Sequence, residues 1–205
     1  MIDNMGVHLD TWVELLAGLG VTMTADEFHH RFAGQTNPAI FRGIFGDRFD
    51  SAEIARMADE KEALYRERFA DHLRPVAGLP ELLTALEARG IPVGIASSGP
   101  SVNVFFALEG LGWAGRFGAI VTGDDISHCK PHPEAFLTTA QQLSVPPEQC
   151  LVFEDAPSGI QAAHRAGMQT IALTTTMQAA TLEAMPSVVH VCNDFYGAMR
   201  FLGIA

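Results

Sequence analysis

Cys150-Leu-Val-Phe-Glu-Asp-Ala-Pro-Ser-Gly-Ile-Gln-Ala-Ala-His-Arg-Ala-Gly-Met168 decides how this chain is read. Its apolar opening, Cys150 to Phe153, is the length of one buried strand. Two carboxylates, Glu154 and Asp155, come at the strand's C-terminal end. Pro157, Ser158 and Gly159 make a turn, and Ile160 to Ala166 reads as a helix stopped by Gly167. In an open α/β sheet, ligands collect at the carboxyl ends of parallel strands. Adjacent acids in such a place are costly unless a cation neutralises them. A hard divalent ion such as Mg²⁺ suits oxygen ligands. The plainer alternative is that the two acids only cap the next helix and stay solvated.

Moving outward, the same strand-then-helix alternation holds on both sides. Before the stretch, Pro80 to Ala88 reads as helix and Ile91 to Ala96 as a strand that ends in Ser97-Ser98-Gly99. Ser101 to Glu109 is helix, Ala119 to Thr122 is a strand leading to Gly123-Asp124-Asp125, and Glu134 to Leu143 is helix. After it, Thr170 to Thr174 and Val188 to Cys192 read as strands. Such alternation means a doubly wound parallel sheet. Right-handed crossovers put the strand ends on one edge.

The N-terminal third has a different pattern. Leu9, Trp12, Val13 and Leu16 share one helical stripe over His8 to Ala17. Thr24 with Glu27 three residues on makes a capping box for a second helix. Ala39 to Phe45 and Ser51 to Phe69, with Ser51 as the expected cap, complete an all-helical block from Thr24 to about Phe69. Pro75 to Leu79 reads as a linker.

Composition narrows the partners. A formal charge of −11 over 205 residues argues against nucleic acid, whose phosphates want a basic surface. A hydrophobic content of 48% supports a sizeable core. The three cysteines, Cys129, Cys150 and Cys192, are scattered, make no metal pattern and suggest a reducing compartment. No apolar run approaches a membrane span and no signal peptide is visible, so a cytoplasmic protein without a membrane partner is expected.

Four loops therefore meet at one edge. Ser97 and Ser98 precede a helix start, where hydroxyls and free backbone N–H groups make an anion cradle. Asp124 and Asp125 come next, with Asp125 read as a turn residue. Lys130 brings a point positive charge on a loop stiffened by Pro131 and Pro133. Glu154 and Asp155 complete the set. Alone, Lys130 would be a solvated lysine and the serines would be caps. Together these groups suit a phosphoryl group, whose oxygens need both metal and donors.

Ile95-Ala96-Ser97-Ser98, Lys130-Pro131-His132-Pro133-Glu134 and Phe153-Glu154-Asp155-Ala156-Pro157-Ser158-Gly159 resemble the haloacid dehalogenase-like superfamily. The resemblance is greatest to its branch of β-phosphoglucomutases and sugar-phosphate phosphatases. It implies an α/β core over residues 1–15 and 75–205, with an inserted helical cap over residues 16–74. It implies a Mg²⁺-dependent phosphatase acting on a small phosphorylated metabolite, a sugar phosphate above all. By resemblance, Ser97 binds the transferring phosphoryl group, Lys130 balances charge, and Glu154 and Asp155 hold Mg²⁺, with Asp155 the surer ligand. Ser98 joins the cradle. His8 stands where the mutase branch has a histidine near the hinge and the acid/base, or is simply a packed or solvated helix histidine. Gly34 to Asn37 resembles the cap's substrate loop. The mutases carry an arginine where Asn37 stands, which favours a phosphatase. Lys61 matches a cap lysine of the mutases, although a solvated surface lysine is the favoured reading.

One motif is missing from the resemblance. The family's chemistry begins with Asp-x-Asp, whose first Asp attacks phosphorus and whose second is general acid and base. The 205 residues contain no Asp-x-Asp, and Ile2-Asp3-Asn4 looks like the residues just after that motif. A late start codon, a gene fragment or a shortened expression form is therefore expected. Two half-sheets with unpaired edges are expected too, and a chain inactive by itself. Alternatives are a phosphosugar mutase and a module that binds metal and phosphate without turnover.

Overall fold

The computed structural model describes residues 2–32 and 35–204. The chain divides into two compact units, Asn4–Leu73 and Met1–Asp3 with Arg74–Ala205. The family resemblance leads residues 1–15 to be expected with the α/β part. The first helix instead contacts the second and fourth helices of the helical unit, where Trp12 and Leu16 complete an apolar cluster.

The helical unit consists of α1 (Met5–Gly18), α2 (Ala25–Phe32), α3 (Asn37–Phe45) and α4 (Ser51–Phe69). Thr24 and Glu27 form the expected reciprocal cap: Thr24 N donates to Glu27 Oε2 at 2.8 Å and Glu27 N to Thr24 Oγ1 at 3.2 Å. The cap of α4 falls one residue earlier than expected. Asp50, not Ser51, accepts from Ala52 N and Glu53 N, and Glu53 bonds back to Asp50 N. Trp12, Leu16, Phe28, Phe41, Ile54 and Met57 make the unit's core, with Trp12 stacked 5.2 Å from Phe28.

The α/β unit runs α5 (Leu79–Glu87), β1 (Gly94–Ala96), α6 (Ser101–Gly110), β2 (Ala119–Val121), α7 (Glu134–Leu143), β3 (Leu151–Glu154), α8 (Pro157–Arg165), β4 (Gln169–Leu173), α9 (Ala179–Glu183), β5 (Val188–Cys192) and α10 (Phe195–Leu202). All strand pairs are parallel, as expected for a doubly wound fold. The strands form two ladders, β1-β2 and β3-β4-β5, which are the expected half-sheets. One apolar cluster spans both: Ile95 from β1, Ile171 and Leu173 from β4, and Cys192 from β5 pack with Leu79, Leu82, Leu108 and Phe195. A second joins Ala96 at the end of β1 to Val152 on β3 and Phe136 on α7.

Two elements were not foreseen in the sequence. Helix α9 is only five residues long, and two residues separate the end of β5 from the start of α10. Asp194 caps α10 by accepting from Gly197 N at 2.8 Å. Among the described residues no helix is long and apolar enough to cross a membrane.

Candidate active site

Strand β3 delivers Glu154 at its last position, and Asp155 comes directly after it. Both oxygens of Glu154 are engaged. Oε2 accepts from Asp155 N at 3.1 Å and Ala156 N at 3.3 Å, while Oε1 accepts from Lys130 Nζ. Both side chains of this ion pair are nearly enclosed, at 12% and 11% exposure. The space Glu154 occupies exists because residue 159 is glycine: a Cβ there would fall 2.1 Å from the Glu154 carboxyl carbon. Gly159 sits in the first turn of α8.

Asp155 is held from the far side of the ladder. Thr175 Oγ1 donates to Asp155 Oδ2 at 2.6 Å, and Thr176 Oγ1 donates to the Asp155 carbonyl at 2.7 Å. Sequence reasoning missed both threonines. The signal was present in the Thr174-Thr175-Thr176 run just past β4, since β4 pairs with β3 and the loop after it must pass the Asp155 turn.

Lys130 reaches Glu154 from the loop before α7. Its Nζ also lies 4.6 Å from the centre of the Phe136 ring. Arg165, at the end of α8, donates to the Pro131 carbonyl at 2.9 Å and ties that loop to the helix after the acid pair. The reading of Lys130 as a free surface lysine is thereby excluded.

The other two loops join each other at the end of the β1-β2 ladder. Gly123 N donates to the Gly99 carbonyl at 2.8 Å. A Cβ on Gly123 would come within 2.6 Å of the Ser98 carbonyl oxygen, so this close approach needs glycine. Ser97 Oγ accepts from Gly99 N at 3.0 Å, which leaves its O–H to donate elsewhere. The free N–H groups expected at the start of α6 are partly spent: Ser101 N donates to Asp124 Oδ2 at 2.9 Å. Asp124 is thus a helix cap. Asp125 is the expected turn residue, accepting from Thr122 N and Thr122 Oγ1, and these bonds hold its carboxyl below the usual range. The contacts therefore tie the four loops in two pairs, with Ser97 and Ser98 in one and Lys130, Glu154 and Asp155 in the other. The Ala96–Val152–Phe136 cluster lies between them.

The helical unit has a polar cluster of its own. Lys61 is 2% exposed, which corrects the expectation of a solvated lysine. Its Nζ donates to Glu62 Oε1 at 2.9 Å and meets His8 Nδ1 at 2.8 Å. An ammonium can only donate, so His8 Nδ1 is the acceptor and the ring is neutral. Burial lowers the His8 pKa to about 4, with the Lys61 charge adding to the effect and Glu62 opposing it. His8 stacks on Tyr65 at 3.7 Å, and Lys61 lies 5.5 Å from the Trp12 ring. Asn37 donates to Glu62 Oε1 at 2.7 Å. His8, Asn37 and Lys61 thus belong to one buried network, joined by Glu62 and Tyr65, which the sequence did not single out. Gly34, the remaining residue expected on the substrate loop, lies outside the described residues.

Glu154 and Asp155 set two acids beside one ammonium among oxygen donors at the end of β3. That donor set fits a hard divalent cation such as Mg²⁺, with Asp155 more available than the fully engaged Glu154.

Acids, an ammonium and a hydroxyl loop at the strand ends of an α/β protein are groups that could engage a phosphoryl group. The chain belongs to the haloacid dehalogenase-like hydrolases, whose family model matches residues 1–173. It is 36% identical over 171 residues to fructose-1-phosphate phosphatase YqaB of Escherichia coli, covering 83% of this chain and 89% of that one. It is 44% identical over 107 residues to validoxylamine A 7'-phosphate phosphatase of Streptomyces hygroscopicus subsp. limoneus, covering 52% of this chain but only 50% of that protein. The crystal structure of β-phosphoglucomutase from Clostridium difficile superposes with a TM-score of 0.81 at 26% identity, over 95% of this chain and 86% of that one.

Proposed function

We propose that this chain is the scaffold of a Mg²⁺-dependent phosphatase for a small phosphorylated metabolite, of the sugar-phosphate kind. The observation that carries the reading is the enclosed Lys130–Glu154 pair with Asp155 beside it at the end of β3. Relatives named as phosphatases of fructose 1-phosphate and of validoxylamine A 7'-phosphate support the same substrate class. Asp155, with Glu154 beside it, would hold Mg²⁺, which supplies charge neutralisation for the phosphoryl oxygens. Ser97 keeps a hydroxyl proton to donate to a phosphoryl oxygen. Lys130 offsets the acids and would stabilise charge that builds on that group.

These 205 residues contain no Asp-x-Asp of the kind that the resemblance implies for the attacking aspartate. We infer that the chain by itself forms no aspartyl phosphate. The test compares the 205-residue chain with a version carrying an Asp-x-Asp strand joined ahead of Ile2, on a panel of phosphomonoesters. Phosphate release by the extended version alone, abolished by Asp155→Ala, is the expected result. Hydrolysis by the 205-residue chain that disappears with Asp155→Ala overturns the inference of inactivity. No hydrolysis by either form, both folded by circular dichroism, overturns the phosphatase reading.

A mutase is the second reading, and the burial of Lys61 against His8 favours it. A mutase must accept a bisphosphate in two orientations and needs a second cation for it. Against it, Asn37 stands where the mutases carry arginine and is bonded to Glu62. Conversion of β-glucose 1-phosphate to glucose 6-phosphate without phosphate release would decide for the mutase.

A further inference from the structure

The loop that carries Lys130 holds a second cluster of donor atoms, apart from the acid pair. One ligand atom each of His128, His132 and Glu134 lies within 4.8 Å of the others. His128 Nδ1 is 2.9 Å and His132 Nδ1 3.8 Å from the same atom, Glu134 Oε2. Those separations bracket the edge of roughly 3.3 Å that 2.0–2.1 Å bonds give a tetrahedral ion. The two imidazoles are 4.5 Å apart between centroids. His132 Nδ1 accepts from Glu134 N at a long 3.3 Å.

The carboxylate is already fixed in place. Glu134 Oε1 accepts from Ser127 N at 2.8 Å and Oε2 from His128 N at 2.9 Å. Pro131 and Pro133 restrict the backbone between the two histidines. The histidine side chains are 66% and 50% exposed, so an ion has a path in. A plain ion pair would account for His128 and Glu134 but not for His132, which stands 3.8 Å off and gains little from the carboxylate.

We propose that His128, His132 and Glu134 bind a divalent transition ion of the zinc class, with water completing its shell. Two imidazoles and one carboxylate select such an ion over Mg²⁺, which prefers oxygen donors throughout. Lys130 lies between the two histidines in sequence, so an ion here clamps the segment that presents Lys130 to Glu154. The site is independent of the acid pair and of the phosphatase reading.

The test uses the metal-free 205-residue chain in excess Mg²⁺, with Zn²⁺ added by calorimetry and Co²⁺ followed by its visible absorption. Uptake of one ion per chain is expected. His128→Ala and His132→Ala should each weaken it by more than the roughly tenfold that loss of an outer partner costs. Asp155→Ala and Cys129→Ser should leave it unchanged, and circular dichroism checks that every variant is folded. No uptake, uptake indifferent to both histidine variants, or equal loss with Asp155→Ala or Cys129→Ser would each overturn the proposal.

Discussion

Each unit of this protein encloses one Lys–Glu pair, and the two pairs are balanced differently. In the helical unit, Lys61 and Glu62 are buried side by side: the His8 ring accepts from the lysine, and the Asn37 amide donates to the glutamate. In the α/β unit, Lys130 and Glu154 are more open, and Asp155 follows directly as a second acid. That second acid suits a cation or a reacting group whose charge changes.

Removing one partner of the inner pair should be the most damaging change. Lys61→Met removes the ammonium from beside the enclosed Glu62 carboxylate, and a loss of about 3 kcal/mol is expected from urea denaturation. The double variant Lys61→Met/Glu62→Leu should recover most of it. A double variant as unstable as the single one would show that the pair is not the source.

Acid should break the inner network at His8. The folded-state pKa of His8 is depressed to about 4, below its ordinary 6.5, chiefly by burial. Between those values the unfolded chain binds a proton that the folded chain refuses. The stability His8 contributes is therefore present above pH 6.5 and is lost as pH falls towards 4. The urea midpoint should decline across that window, and His8→Gln should flatten the decline. An NMR titration placing His8 near its ordinary value would contradict this.

Lys130→Met should cost less than Lys61→Met, about 2 kcal/mol, because the pair is partly open and Glu154 keeps two backbone N–H donors. Equal costs for the two lysine variants would erase the contrast between the pairs. Gly159→Ala tests the same acid from outside: the added methyl displaces the Glu154 carboxylate and should weaken Mg²⁺ uptake in calorimetry as well as stability. The smallest effect belongs to Asp50→Ala, which removes the cap of α4 without touching either pair. It should lower stability by about 1 kcal/mol.

The sequence made the α/β unit legible because its strands are short apolar runs set off by turn residues. Glu134–Leu143 and Val188–Cys192 fall where the pattern puts them. The acids after β3 and the lysine loop were legible for the same reason, being anchored to strand ends. What stayed hidden depends on long-range packing. Lys61 lies on a helix rich in charge, and only the approach of α1 with His8 and Trp12 encloses it. The role of Asp124 as the cap of α6 joins residues 101 and 124 across two loops, which no local pattern encodes. Thr175 and Thr176 reach Asp155 only because β4 pairs with β3.

Among the described residues, no rung of backbone hydrogen bonds links the β1-β2 ladder to β3-β4-β5. What joins the Ser97 loop to the Glu154–Asp155 turn is consequently the packing of side chains, Ala96 with Val152 and Phe136, and not amide geometry. Side-chain contacts yield more readily than ladders do, so one methyl group more or fewer at residue 96 is a dial on how those two loops sit that touches no polar group in either.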